Sequence, residues 1–191
     1  IVNGLVGSEM CIRDSIRSHR FMAHVRSSTG TQVSRSNCHP FIIDNWMFLH
    51  NGQIGEFERV KYELQCQLPE SLFLKRMGTT DSELIFLLML HNGLCEQPVE
   101  AIRKTIIDIS QMMKSKDIEE PLKASICISD GEQFWAVRYS SDDDAPTVFI
   151  RQEGANIALA SEPLEKSSGW KAVLPQSILE IKGDAVTSYA I

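Results

Sequence analysis

Apolar residues recur every three or four positions through much of the first half of the chain, which is the spacing of one face of a helix. Residues 56–68 follow this pattern, and residues 98–114 repeat it after a proline suited to the first turn of a helix. Between these segments, Thr80 and Glu83 have the spacing of a capping box. The residues that follow are apolar on every side, so we expect a buried helix over residues 80–91.

The period changes to two after residue 121, where alternating apolar and polar residues predict strands. Asp130-Gly131 and Gly183-Asp184 each separate two such segments, which predicts two β-hairpins. Upstream, an aromatic-rich segment runs into Asn51-Gly52, a pair that favours a tight turn. The predicted strands are residues 21–26, 41–49, 124–129, 134–139, 147–151, 157–160, 178–182 and 185–191. Helices followed by antiparallel strands indicate an α+β fold with helices packed on sheets.

The composition is that of an ordinary globular protein and excludes several functional classes. The 191 residues are 43% hydrophobic and 23% charged, which fits one folded domain. A net charge of −6 argues against nucleic acids or anionic membranes as partners. The longest apolar run, residues 84–90, is far shorter than the ~20 residues that a membrane span needs. Five scattered cysteines without a CxxC pair indicate reduced thiols in a cytoplasmic protein.

The start of the chain does not fit the pattern of the rest. The first residue is Ile1, and residues 8–15 resemble translated sequencing-adapter sequence of the kind found in assembled environmental genes. We therefore expect residues 1–17 to be a non-native leader and residues 18–191 to be one domain that is incomplete at its N-terminus.

Polar residues gather in four short strings, most of them where predicted strands end. The strings are His24-Val25-Arg26 with Thr29, Asn37-Cys38-His39-Pro40-Phe41, His50-Asn51-Gly52 and Thr80-Asp81-Ser82-Glu83. Singly, such strings are usually a surface arginine, a turn or a helix cap. Taken together, they suggest a binding site. Arg26 can donate two parallel hydrogen bonds to a carboxylate, and Asp81 can accept from an ammonium group, so the pair suits the α-carboxylate and α-amino groups of an amino acid. The Asn51 amide and the Gly52 N–H can both donate to a developing oxyanion, so the set predicts an amidase for glutamine or a γ-glutamyl compound.

The ordered set of strings resembles the class II glutamine amidotransferases, which belong to the N-terminal nucleophile hydrolases. The resemblance runs from about Phe21 to the C-terminus. Residues 160–164 (Ala-Ser-Glu-Pro-Leu) and Trp170 resemble a small stand-alone subgroup that also includes γ-glutamyl hydrolases of thiol metabolism. The resemblance implies an αββα sandwich of antiparallel sheets flanked by helices, with its first strands missing from this chain.

The resemblance also implies a role for each residue of the predicted site. Arg26 would hold the substrate α-carboxylate with support from Thr29, and Asp81 would bind the α-amino group. Asn51 and Gly52 would form the oxyanion hole. The reaction implied is attack on the side-chain amide of glutamine, release of ammonia, and hydrolysis of a thioester to give glutamate.

The chain departs from the family at the nucleophile, which is a cysteine exposed as the mature first residue with its own α-amino group as base. Cys11 lies too close to Arg26 in the chain and has no free α-amino group. Cys38 adjoins His39, but neighbours on an extended chain point to opposite faces. His39 and Pro40 fit a pocket wall better. We therefore expect this chain to lack the nucleophile and to show no glutaminase activity.

Two further functions remain open. One is a hydrolase of γ-glutamyl bonds in a thiol or modified amino acid, and the other is a non-catalytic protein that binds an amino acid or a partner. An ammonia acceptor, if there is one, would be on another subunit. No cofactor is implied, and the histidines and cysteines lack the spacing of a metal site. The aspartates at residues 142–144 indicate a solvated turn.

Overall fold

The structure is a computed structural model that describes residues 18–24, 34–165 and 169–191. The α-helices within these residues are α1 (Lys61–Cys66), α2 (Glu70–Phe73), α3 (Asp81–His91) and α4 (Pro98–Ser115). Short 3₁₀ turns cover Arg35–Asn37 and Phe57–Arg59. The strands are β1 (Phe41–Ile43), β2 (Trp46–Gln53), β3 (Lys123–Ser129), β4 (Phe134–Ser140), β5 (Phe149–Glu153), β6 (Asn156–Ala160), β7 (Lys171–Ala172), β8 (Ser177–Lys182) and β9 (Ala185–Ala190).

The strands form two antiparallel sheets. The larger sheet has six strands in the order β1-β2-β3-β4-β8-β9, and the smaller has three in the order β6-β5-β7. Most neighbours in the large sheet are also neighbours in sequence, but β8 pairs with β4 across an intervening segment of chain. That segment contains β5, β6 and β7, so the small sheet is an insertion between two paired strands of the large one.

The larger sheet separates the helices from the smaller sheet. Trp135 and Val137 of β4 pack in the main core with the helices, whereas Ala136 between them packs against residues of the small sheet. This alternation is the two-residue period of a strand buried on both faces. The α3 helix lies at the centre of the helical layer, where Phe86 stacks on Phe48 of β2 with ring centroids 5.1 Å apart. Because α3 is buried from Ser82 to Met89, it cannot shift without opening the core.

Most of the predicted elements are confirmed. The helices predicted over residues 80–91 and 98–114 are α3 and α4, and both hairpins after residue 121 form with the expected pairing. The α+β class with antiparallel sheets is therefore correct. The described helices all pack in one layer around α3, and the second helical layer of the αββα sandwich stays a prediction.

Four local predictions are wrong. The helix predicted over residues 56–68 is only partly formed, as a 3₁₀ turn at Phe57–Arg59 followed by α1, which ends at Cys66. Residues 41–49 form two strands rather than one, because Asp44 adopts a left-handed conformation (φ 55°) and turns the chain between β1 and β2. Asn51-Gly52 is not a turn but part of β2, paired with Ser125 and Ala124. Residues 21–24 form no strand, and the rest of that predicted strand lies outside the described residues.

In the part of the chain that the structure describes, no helix is both long enough and apolar enough to cross a membrane.

Candidate active site

Asp81 is the first residue of α3 and lies where this helix meets the end of β2. Its Oδ2 atom accepts a hydrogen bond from the backbone N–H of Ile54 (2.9 Å), and its Oδ1 atom accepts one from the N–H of Ser82 (2.8 Å). Ile54 directly follows β2. The Asp81 carboxylate is therefore held beside the strand end that carries Asn51 and Gly52.

His50 is buried and joins the same strand to the same helix. Its Nδ1 atom lies 2.9 Å from the Ser82 Oγ, and its Nε2 atom lies 3.2 Å from the Lys123 carbonyl oxygen. A carbonyl oxygen only accepts hydrogen bonds, so Nε2 carries a proton and donates to it. Burial lowers the pKa of His50, and the nearby Asp81 carboxylate offsets only part of that shift, which favours the neutral ring. In the neutral ring Nδ1 has no proton and accepts from the Ser82 hydroxyl.

Gly52 is required because its backbone approaches β3 too closely for a side chain. A Cβ atom at this position would lie 1.9 Å from the Lys123 carbonyl oxygen, and the φ of 153° also favours glycine. Asn51 is exposed, and alternation along β2 directs it away from His50. Within the described part of the chain, the Asn51 side-chain amide makes no hydrogen bond. Its N–H groups are therefore open to a ligand.

Asn37 ties the loop before β1 to the segment that leads into α3. Its Oδ1 atom accepts a hydrogen bond from the Thr79 backbone N–H (2.9 Å), and its Nδ2 atom donates to the Thr79 Oγ (3.2 Å). Asn37 is buried, so both groups of its amide are satisfied inside the protein where water cannot replace them. These two hydrogen bonds fix the segment that leads from Thr79 into Asp81.

The predicted capping box is correct in one half and wrong in the other. The Thr80 Oγ accepts from the Glu83 N–H (3.3 Å), which is the expected N-cap. The Glu83 carboxylate does not return to Thr80 but accepts from the N–H groups of Met77 (2.8 Å) and Gly78 (2.7 Å). It also lies 3.8 Å from Nε of Arg76, and both side chains are 7% exposed. Burial lowers the pKa of Arg76, and the Glu83 carboxylate acts against that shift.

Three of the four polar strings thus meet at the start of α3. The second string contributes Asn37, the third contributes the segment from His50 to Gly52, and the fourth is the helix start itself. In the second string, the His39 ring lies 4.3 Å from that of His24 and 4.7 Å from that of Phe41, measured between centroids. Arg26 and Thr29 of the first string, and Cys11 upstream of it, lie outside the described residues.

All four strings lie within a stretch of the chain that matches a family model. Residues 6–153, most of the chain, match the family model for class II glutamine amidotransferases. The chain belongs to this family. The resemblance seen in the polar strings is thereby confirmed. The match begins inside residues 1–17, whose separate origin stays a prediction.

Two curated relatives extend over nearly the whole chain. The first is the yeast (Saccharomyces cerevisiae) protein named "Probable glutamine amidotransferase DUG3", which is 28% identical and aligns with 94% of this chain. The second is the γ-glutamyl-hercynylcysteine sulfoxide hydrolase of Mycobacterium tuberculosis, 24% identical over 94% of this chain. The alignments cover 62% and 66% of those two proteins, so the chain spans less than two thirds of either relative.

A solved structure supports the same assignment. A glutamine aminotransferase class-II domain protein from Silicibacter pomeroyi superposes with a TM-score of 0.76 and 34% identity, covering 83% of this chain and 72% of that one. The fold is that of the N-terminal nucleophile glutamine amidotransferases, as the resemblance implied.

The surroundings of Cys38 and Cys127, and of two of the aspartates at residues 142–144, do not fit a nucleophile or a metal site. Burial raises the pKa of the Cys127 thiol to about 12, so it stays protonated at neutral pH. The exposed Cys38 donates from Sγ to the Ser34 carbonyl oxygen (3.3 Å) rather than to a base. Asp142 and Asp144 contact the Lys123 ammonium, at 3.7 and 2.5 Å. No three potential metal ligands come together within the described ranges.

The contacts that position the site were only partly visible in the sequence. The strings contained His50, Ser82 and Asn37, but no role was assigned to them. Arg76 and Ile54 were missed altogether. Arg76 has no sequence signal that distinguishes it from a surface arginine, and Ile54 acts through its backbone, which any residue except proline supplies.

We predict that His50 makes the protein less stable in mild acid. Its folded-state pKa lies below the ordinary value of about 6.5, so the unfolded chain binds more protons than the folded one as the pH falls through 6.5. The free energy of unfolding should therefore decrease below about pH 6.5, and His50→Gln should remove part of that decrease. Urea denaturation between pH 5 and 8 measures both slopes.

The matched control is His19→Gln, which changes an exposed histidine outside every helix and strand. It should keep the free energy of unfolding that the unmutated protein has at pH 8, because its side chain is exposed. If the free energy of unfolding changed equally with pH in His50→Gln and in the unmutated protein, His50 would not be held neutral in the folded state.

Proposed function

We propose that this chain binds the glutamyl part of a substrate and stabilises the oxyanion formed when a γ-glutamyl amide bond is hydrolysed. The observation that supports the proposal is the hydrogen bond from the Ile54 N–H to Asp81, because it holds this carboxylate at the end of the strand that carries Asn51 and Gly52. Glutamine is the first substrate we propose, with ammonia and glutamate as products. The ammonia would pass to water or to an acceptor subunit.

Asp81 has the acceptor capacity that an α-ammonium group requires. A carboxylate has about four lone-pair sites, and backbone N–H groups of Ile54 and Ser82 occupy two of them. The remaining sites can accept from an ammonium group, and charge-assisted hydrogen bonds of this kind are among the stronger ones. By resemblance to the family, Arg26 and Thr29 would hold the α-carboxylate at the other side of the same carbon atom.

Asn51 and Gly52 offer two donors of the type that stabilise a tetrahedral intermediate. The Asn51 amide makes no hydrogen bond within the described chain, and Gly52 lies in β2, which is held by its pairing with β3. Such donors act because they are oriented before charge develops, so no reorganisation is needed in the transition state.

The attacking group in the proposed reaction is a cysteine thiolate at a mature N-terminus, as in the family. The buried Cys127, with its pKa near 12, is unsuited to that task. Binding is measured on the 191-residue chain. Hydrolysis is measured on the complete product of the reading frame, which the proposal requires to carry the nucleophilic cysteine at its mature N-terminus.

A second candidate substrate is a γ-glutamyl compound of thiol metabolism. The mycobacterial relative is named as a hydrolase of γ-glutamyl-hercynylcysteine sulfoxide. Asp81 would bind the α-amino group of both substrates, because they share the glutamyl part and differ only in the leaving group.

We predict that Asp81→Asn weakens L-glutamate binding by roughly 10- to 100-fold, since a hydrogen bond to a charged partner is lost. Glutarate has no α-amino group, so it should lose affinity only through the altered backbone contacts of residue 81 and therefore less than L-glutamate does. Isothermal titration calorimetry on the 191-residue chain measures both affinities, with Asp108→Asn, a half-buried α4 carboxylate that pairs with Lys104, as the matched control. Equal losses for the two ligands would show that Asp81 does not bind the amino group.

We predict that Asn51→Ala lowers kcat for glutamine hydrolysis about 10²- to 10³-fold with little change in KM, because an oxyanion donor acts in the transition state. Ammonia and glutamate release by the complete gene product provides the measurement, with γ-glutamyl thiol compounds assayed in parallel. Asn45→Ala, which removes a hydrogen bond to Asp130 at the opposite end of β2, should leave kcat unchanged. A folded complete product that binds L-glutamate but turns over neither substrate would instead favour a binding protein.

A further inference from the structure

We propose that His50 and Ser82 are positioning residues, and that the hydrogen bond between them sets the distance from Asp81 to the Asn51–Gly52 donors. The inference rests on the proposed function, because it concerns the same site. Neither side chain would touch the substrate. Each one acts through the functional residue next to it in the chain.

The positions in sequence make this arrangement specific. His50 immediately precedes Asn51, and Ser82 immediately follows Asp81. The Nδ1···Oγ contact of 2.9 Å therefore joins the two halves of the site through their nearest neighbours. Any sliding of α3 along β2 would stretch this bond, and hydrogen bonds weaken steeply outside a narrow range of distance and angle.

A second anchor holds the His50 ring from its other side. Nε2 donates to the Lys123 carbonyl oxygen, the same oxygen that excludes a side chain from Gly52. The imidazole thus spans from β3 to α3 beneath the Gly52 backbone, where a Cβ would come within 2.8 Å of Nε2. The His50 ring therefore adds a second link between the end of β2 and the start of α3, beside the hydrogen bond from the Ile54 N–H to Asp81.

Burial makes the bond hard to replace. His50 is 3% exposed and Ser82 is 6% exposed, so water is not available to satisfy either group if its partner is lost. Packing keeps α3 in the core, and the directional bond adds a constraint on the side-chain and backbone orientation at the first turn of the helix. Asp81 lies in that turn, next to Ser82 in the chain.

The bond also determines which hydrogen-bonding groups face Asp81. The Ser82 Oγ lies 3.4 Å from Asp81 Oδ1, close enough to turn its proton toward the carboxylate. While His50 accepts that proton at Nδ1, Oδ1 keeps its backbone contact with Ser82 and an unused lone pair. The neutral ring thus preserves acceptor capacity for the substrate ammonium group.

The test is the ratio of the glutarate and L-glutamate dissociation constants, which reports recognition of the α-amino group. Ser82→Ala should lower this ratio about tenfold, because Asp81 is no longer held in register. A loss of stability alone would weaken both ligands together and leave the ratio unchanged. The ratio therefore separates positioning from folding.

Two conservative changes at His50 sharpen the test. An asparagine amide oxygen can occupy the place of Nδ1 and still accept from Ser82, so His50→Asn should retain most of the ratio. A glutamine amide nitrogen can occupy the place of Nε2 and keep only the bond to Lys123, so His50→Gln should lower the ratio as Ser82→Ala does.

The matched control is Ser129→Ala, which removes a buried hydroxyl bonded to the Gln133 carbonyl oxygen (2.7 Å) at the far end of β3. It should lower the melting temperature without changing the ratio. A Ser82→Ala protein with the unmutated ratio would overturn the inference and leave the proposed function standing. An unmutated chain that binds neither ligand, or binds them equally, would overturn both.

Discussion

The hydrogen bond from the Ile54 N–H to the Asp81 carboxylate is the contact on which the geometry of the site depends. The first N–H groups of a helix have no partner within the helix, and a strand that leaves its sheet also exposes N–H groups. Asp81 supplies an acceptor to both, since one oxygen binds Ile54 and the other binds Ser82. A single side chain thus joins the start of α3 to the end of β2, and its negative charge suits the positive end of the helix dipole.

This contact is effective because the two elements it joins cannot move apart. The α3 helix is buried nearly all round, and Phe86 stacks on Phe48 of β2 in the core. Asn37 and Glu83 fix the chain that leads into the helix. Binding groups on rigid elements keep their geometry better than groups on loops, which favours a preorganised site for a small charged ligand. Glycine is needed at position 52 because the β2 backbone there lies too close to the Lys123 carbonyl oxygen to leave room for a Cβ atom.

The sequence was most informative where local patterns determine structure. The helix over residues 80–91 combined a cap with a continuous apolar segment, and both hairpins carried turn residues between alternating strands. Asn51-Gly52 shows the limit of such reasoning. Its local preference is for a turn, but pairing with Ser125 and Ala124, distant in sequence, keeps it extended. The Asn37–Thr79 and Arg76–Glu83 contacts were equally invisible, because nothing in a local pattern indicates which buried polar groups will meet.

The most direct measurement is a crystal structure of the 191-residue chain with L-glutamate bound. The account predicts the ligand ammonium group within hydrogen-bond distance of Asp81 and the γ-carboxylate oxygens at the Asn51 amide and the Gly52 N–H. It also predicts that His50 still bridges Ser82 and the Lys123 carbonyl oxygen. L-glutamate bound elsewhere, or bound here with its amino group turned away from Asp81, would contradict the account.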